Sequence, residues 1–367
     1  MTLRTPLCDV LGIEYPIVQS GMGGVAGPDL VAEVSKAGGL GIVAGLNLTA
    51  DQVREAIRRV RAATGRPFGV NLFMPDQLLP PVDPATIPPE TVRAVQGTMN
   101  GFRARLGLPT ITAQPPAVPD LIPAAFEVIL DERPSVFSIG LGNPTPAMVR
   151  RCHERDIKVM AMVTTVSDAR TVERAGVDVI VAQGAEAGGH RSTWVKPASP
   201  QAISIGTLTL VPQVVDAVRV PVVAAGGIAD GRGLVAALAL GAAGALLGTR
   251  FVATREATAP EFQKKVLLEA EAEATTMTDS ITGLWARYIR NTYTSEYDAS
   301  GTPVFPALIQ SRSAQDIFGH AGKQAMPEWF PMSTGQSVGL VHDLPGAAEV
   351  VERIVREARA VLGRLPR

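Results

Sequence analysis

Cysteine is nearly absent: Cys8 and Cys152 are the only two in 367 residues. Two thiols in a chain this long exclude a disulfide framework, and neither sits at metal-ligand spacing. Aromatic residues make up 5% of the chain, charged residues 19%, and the formal net charge is −1. With no basic run and no interleaving of basic and aromatic residues, nucleic acid is a poor partner. Histidine is scarce too. His153, His190, His320 and His342 are the full set, no pair has metal-ligand spacing, and no metal is expected. The opening MTLRTPLCDVLGIEYP lacks the apolar centre of a signal peptide. The uncharged stretch 233–249 is interrupted at Gly241–Gly244 and reads as a buried helix followed by a buried strand, not as a membrane span. These shortages point to a cytoplasmic protein with no nucleic-acid or membrane partner.

What the chain does have is apolar bulk, 46% of residues, enough for a sizeable core. Its length suits one large α/β barrel with an appendage, or two ordinary domains. Eight short runs are apolar throughout rather than alternating: 16–19, 40–44, 68–72, 136–139, 158–163, 177–183, 220–225 and 244–247. That is the pattern of parallel strands covered on both faces. Helical patterns separate them at 29–37, 50–63, 123–130, 146–155, 168–175, 208–218 and 232–240, with Asp230 where an N-cap belongs. Eight βα steps in about 250 residues predict a TIM (β/α)8 barrel.

Two segments break the repeat. Residues 75–119 are proline-rich around a helix-like piece at 90–106 and read as an insertion after the third strand. Residues 256–337 read as a small, mainly helical cap over the barrel mouth, with 1–255 as the barrel. In 338–367, a last helix over 347–365 carries Val351, Ile354, Val355, Ala358 and Leu362 on one face and should pack back on the barrel.

Barrel active sites lie at the C-terminal strand ends, with phosphate commonly bound after strands 7 and 8. Gly226-Gly227 follows the seventh predicted strand and Gly248-Thr249 the eighth. Glycine lets backbone N–H groups approach an anion, and the Thr249 hydroxyl can add a bond. Gly21-Met22-Gly23-Gly24-Val25-Ala26 matches a dinucleotide turn, but no acidic residue falls between Glu33 and Asp51, so the required ribose partner is missing. The turn is expected to pass under a flat ring system instead. His190 follows the sixth strand through Gly188-Gly189, on the same rim, where imidazole suits removal of an acidic C–H proton. Glu186 either orients it or is surface charge. Asn71 and Gln183 end strands 3 and 6, where neutral amides either cap the strand or face a heterocycle edge.

The segments PIVQSGMGG, FGVNLF, AQGAEAGGH, VVAAGGIADGRG and LLGTRF together closely resemble those of the nitronate monooxygenases, FMN-dependent TIM-barrel enzymes. The resemblance implies an FMN ring near Met22 and Gly23, with Asn71 and Gln183 at its edge and Gly188 lining the site. It places the phosphate at Gly227 and at Leu246, Leu247, Gly248 and Thr249, and makes His190 the catalytic base, kept neutral by a nearby helix N-terminus. The implied reaction is oxidation of alkyl nitronates, or of nitroalkanes, with O2 to carbonyl compounds and nitrite. FMN-dependent type II enoyl-acyl-carrier-protein reductases share the EAGGH, AAGGIADG and GTRF segments. Reduction of an enoyl or quinone acceptor by NAD(P)H is therefore the alternative, and a flavin-binding module without catalysis a third. Pairing into a homodimer is left open. Two departures bear on the substrate: Gly140 stands where the insertion-bearing subgroup has a histidine, and Phe305 where it has tyrosine. Both changes are expected to make the pocket more apolar.

Overall fold

The computed structural model describes residues 3–73 and 82–364. All eight predicted strands are present: β1 (Ile17–Gln19), β2 (Gly41–Ala44), β3 (Phe68–Phe73), β4 (Val136–Leu141), β5 (Lys158–Val163), β6 (Val179–Gln183), β8 (Val222–Ala225) and β9 (Gly244–Leu247). They pair in parallel in the order β1-β9-β8-β6-β5-β4-β3-β2. A parallel bridge between Val18 and Leu40 joins the two ends, so the sheet closes into a barrel. The seam has a further fastening. Gln19, fully buried, accepts from Ile42 N (3.0 Å) and donates to Ile42 O (3.3 Å), so its amide replaces a missing rung of the ladder.

Apart from Lys158 and Met162 of β5, the barrel-strand side chains are buried on one face or the other, which is why the runs are apolar without alternation. Val18, Leu40, Ile42, Val136, Met160, Val179, Val181, Val223 and Leu246 fill the inside, with Leu7 and Leu11 of the N-terminal helix Pro6–Leu11 against one end. Their neighbours Ile17, Val43, Val70, Ile180 and Ala224 pack outward on the helices. The helix starts follow local chemistry. Thr49, Thr145 and Thr165 cap with their hydroxyls, and Asp230 accepts from the N–H groups of Arg232 and Gly233, as its position predicts.

The helix Ala347–Leu362 buries Val351, Ile354, Val355 and Ala358. It crosses helix Gly231–Ala239 so closely that a Cβ on Gly231 would meet Ala358 N at 2.3 Å. The predicted end of this helix, Leu365, and residues 75–81 of the predicted insertion lie outside the described residues.

The region over the barrel mouth is helical at Thr292–Ala299, Ile309–Ser313 and Gln315–Lys323. It also contains strands that the periodicity does not reveal. β10 (Thr275–Thr278) and β11 (Ala286–Ile289) form an antiparallel pair, and β11 pairs in turn with β7, the two-residue strand Gly189–His190. The insertion helix Pro89–Arg105 is not separate from this region. Its Val92, Val95, Met99 and Phe102 share one apolar core with Tyr293, Tyr297, Phe305, Ile317 and Trp329.

Candidate active site

One cavity of about 690 Å³ opens at the C-terminal ends of the barrel strands, under the cap. Its volume is that of a nucleotide-sized ligand site, roughly 300–1,000 Å³. Met22, Gly23, Asn71, Gln183, Gly188, His190, Gly227, Leu246, Gly248 and Thr249 all line it. Leu247 does not: its side chain belongs to the outer core, and its carbonyl accepts from Ser20 N at 3.0 Å.

The two glycine turns share one property. Among the described residues, no acceptor takes the backbone N–H of Gly226, Gly227, Ile228, Gly248 or Thr249. Gly226 (φ 108°) and Gly227 (φ 71°) are left-handed, a conformation that turns successive N–H groups to one side as an anion nest does. Thr249 Oγ1 accepts from Gly335 N (2.9 Å), which leaves its proton free to donate into the cavity. Beside the Gly248 turn, where Met22 Sδ lies 3.6 Å from the place of a Gly248 Cβ, a Cβ on Gly23 or Gly24 would meet nothing within 4 Å, so this turn leaves the cavity open.

His190 sits on β7, and its ring Nε2 lies 2.9 Å from Thr282 Oγ1. Phe73 packs edge-on against the ring, with centroids 5.5 Å apart. Burial pushes the imidazole down to about 4, so it is neutral at physiological pH. The expected cause was a helix N-terminus; the observed cause is desolvation alone. Tyr288 extends the network by hydrogen bonds to Thr282 and Ser333, and burial raises its phenol well above the usual range.

Glu186 neither orients His190 nor stands on the surface. Its carboxylate accepts from Thr207 N (2.9 Å) and Thr207 Oγ1 (2.8 Å), capping helix Thr207–Ala217. The loop of His190 is held instead by Gln183. That amide donates to His190 O (2.9 Å) and accepts from Ser192 N (2.9 Å). Behind the loop, the buried Arg191 guanidinium donates to the carbonyls of Gln183, Gly184 and Ile203, and Arg287 to that of Ala185. Burial and the neighbouring Arg287 charge lower Arg191 to about 10.

Asn71 Nδ2 donates to the Ser138 hydroxyl (3.2 Å) and carbonyl (3.3 Å), so β4 fixes its amide plane. A Cβ on Gly140 would lie 3.1 Å from Asn71 Nδ2 and 3.2 Å from Phe73 Cε1. Phe73 and Asn71 thus occupy the space a larger residue at 140 would need. Phe305 does not line the cavity; it is wholly buried in the cap core, with its N–H on Gln310 Oε1. That departure from the family pattern therefore leaves the pocket wall unchanged. Gly188 lines the cavity, but its lack of a side chain is dictated elsewhere: a Cβ would strike Gly335 N at 2.5 Å. Thr282, Tyr288 and the 334–336 strap carry no motif in the sequence; only the folded chain brings them to the rim.

A family model described as nitronate monooxygenase matches residues 4–357. The chain belongs to the nitronate monooxygenase family. A probable nitronate monooxygenase of Staphylococcus saprophyticus is 34% identical over 99% of this chain and 100% of its own length. One from Staphylococcus aureus is 34% identical over 98% of each. Among solved structures, a nitroalkane oxidase from Streptomyces ansochromogenes superposes with a TM-score of 0.87 at 34% identity, covering 97% of this chain and 99% of that one. FabK from Thermotoga maritima superposes at 0.77 with 30% identity, covering 99% and 98%. A nitronate monooxygenase fold with this cavity makes the protein an oxidoreductase acting on a small molecule. Among the described residues no helix is long and apolar enough to cross a membrane.

Proposed function

We propose that the protein binds FMN in this cavity and oxidises alkyl nitronates with O2 to carbonyl compounds and nitrite. The observation that carries the reading is the set of unpartnered N–H groups at the ends of β8 and β9, on the same rim as His190. A monoester phosphate fits that cradle, with the Thr249 hydroxyl as a further donor. Met22 and Gly23 on one side and Asn71 on the other, its amide plane set by Ser138, would hold the ring. FMN supplies the redox chemistry when bound. The chain's residues supply position, exclusion of water and control of a proton at His190 Nε2.

The His190 environment bears on which form of substrate is used. An imidazole held at about 4 is neutral but weakly basic, so removal of a carbon-bound proton is uphill. A nitronate arrives already deprotonated and needs only placement, hence nitronate rather than nitroalkane as the main substrate. The two buried cysteines are free thiols, in keeping with a cytoplasmic setting.

Two measurements on the purified flavoprotein test the reading. Acid release should give FMN, and an aerobic nitronate assay should give nitrite. Rapid flavin bleaching on anaerobic mixing with NADH or NADPH, without nitrite formation in air, would favour the enoyl or quinone reductase instead.

A further inference from the structure

The cavity wall carries one charge that the proposed reaction does not use. Among the described lining residues there is no aspartate, glutamate or lysine, and Arg312 is the only arginine. It lies on the short helix Ile309–Ser313 of the cap. The buried arginines of this protein, unlike the half-buried Arg312, are tied down. Arg103 bonds Asp316, Gln96, Asn100 and Ser313 O; Arg250 bonds Asp343; Arg191 bonds three carbonyls. Arg191 and Arg250 each leave Nε without a partner, but their terminal nitrogens are bonded. Among the described residues the half-buried Arg312 makes no side-chain hydrogen bond and no ion pair, and its Nε is closed off from solvent with no acceptor. Its terminal nitrogens are not closed off and are left to meet an anion in the cavity.

The backbone delivers this arginine at a cost. Leu308, just before the helix, adopts φ 63°, a left-handed conformation that disfavours a branched residue. Its N–H donates to Thr282 O at 2.7 Å, and the hydroxyl of the same Thr282 meets His190 Nε2 at 2.9 Å. The segment bearing Arg312 is thereby fastened to the residue that holds the His190 ring. The phosphate cradle is fastened elsewhere, through Thr249 to Gly335. It is made of backbone N–H groups and needs no cation. Gln315, which also lines the cavity, has no side-chain partner either among the described residues.

We propose that Arg312 forms an oxyanion subsite in the cap, which takes a carboxylate or phosphate carried on the substrate away from its reacting carbon. The guanidinium fork matches either group in a bidentate manner. The inference rests on the cavity being the substrate site, as proposed above, but not on the reaction that occurs there.

The test is calorimetric, on the flavin-loaded protein at neutral pH, with unreactive probes of one chain length: butanoate, butyl phosphate and butanamide. The wild type should bind at least one of the two anions roughly 10- to 100-fold more tightly than the amide. The stronger of the two names the source of the charge. Arg312→Gln and Arg312→Met should abolish the difference, and Arg312→Lys should restore part of it. Flavin content and Tm of the variants monitor folding. Equal affinity of the wild type for all three probes, or an anion preference that survives in Arg312→Met, overturns the proposal; the first of these requires no variant to fold. A parallel assay compares a nitronate bearing a distal carboxylate with its amide, and Arg312→Gln should raise KM for the acid alone. Loss of turnover on both equally would place Arg312 at the nitronate head and overturn the remote subsite. If no nitronate is turned over while butanoate still depends on Arg312, the subsite stands and the proposed reaction falls.

Discussion

Burial keeps the His190 ring at about 4, against about 6.5 in an unfolded chain. Between those values the unfolded state binds the extra proton and the folded state does not. The stability contributed by a neutral His190 is therefore whole above pH 6.5 and is lost as pH falls towards 4, by up to about 1.4 kcal/mol per pH unit. Urea titrations at pH 7 and pH 4.5 should show a smaller acid loss in His190→Asn than in the wild type. The same variant separates the substrates. Turnover of a nitroalkane, which must lose a proton in the site, should fall by roughly 10²–10⁴, and turnover of a preformed nitronate much less. Equal losses would contradict the assignment of His190 as the proton-handling group. Gly140 offers a second test. Gly140→His drives a side chain into Asn71 and Phe73, so it should lower Tm on its own. Adding Phe73→Ala should recover part of that loss, a coupling a double-mutant cycle measures. Additive effects would show that the two side chains do not compete for one space.

Among the elements, helix Thr207–Ala217 depends on a residue outside itself, because Glu186 reaches across to its first N–H and first hydroxyl. Glu186→Ala should cost about 1–2 kcal/mol of stability by denaturant titration, as loss of a cap does. It should leave the pH profile of turnover in place, since Glu186 does not touch His190. A shifted profile would return it to the catalytic group. The sequence could not decide this point: an acidic residue four positions before a histidine fits either role, and the choice depends on where Thr207 arrives. The barrel strands were legible because burial on both faces leaves an unbroken apolar run, and β5 and β9 begin and end where those runs do. β7 was not legible, being two residues whose pairing with β11 exists only after folding. β10, reading Thr-Thr-Met-Thr, has no apolar pattern to betray it. The glycine turns, His190, Asn71 and Met22 were readable as a set because each lies near the C-terminal end of an apolar run. Leu247 was not separable from Leu246, although adjacent strand residues point to opposite faces.

At the scale of the whole molecule, the insertion after β3 and the cap are one packing unit in spite of the distance between them in the chain. The Phe102 ring packs at a tilt against Tyr293, Tyr297 and Trp329. Phe102→Ala should cost about 3–5 kcal/mol locally. Limited proteolysis should then cut first within residues 275–329, while the barrel core stays resistant; a uniform increase in cutting would deny the shared core. The proline-rich stretch gives no hint of this partner, because an amphipathic helix shows that it buries a face but not against what. Arg312 carries no signal in the sequence, being one basic residue in a region without periodicity.

The contact between Gly335 and Thr249 has a bearing on synthesis. Gly335 N–H meets the Thr249 hydroxyl across 86 positions of sequence, and Gln336 N–H meets Glu186 O at 2.9 Å. A nascent chain that has already released its whole barrel from the ribosome still lacks this closing strap. The rim of the cavity is therefore completed only after the barrel strands, and a ligand that requires the finished rim is captured only once residues 335–336 have left the ribosome.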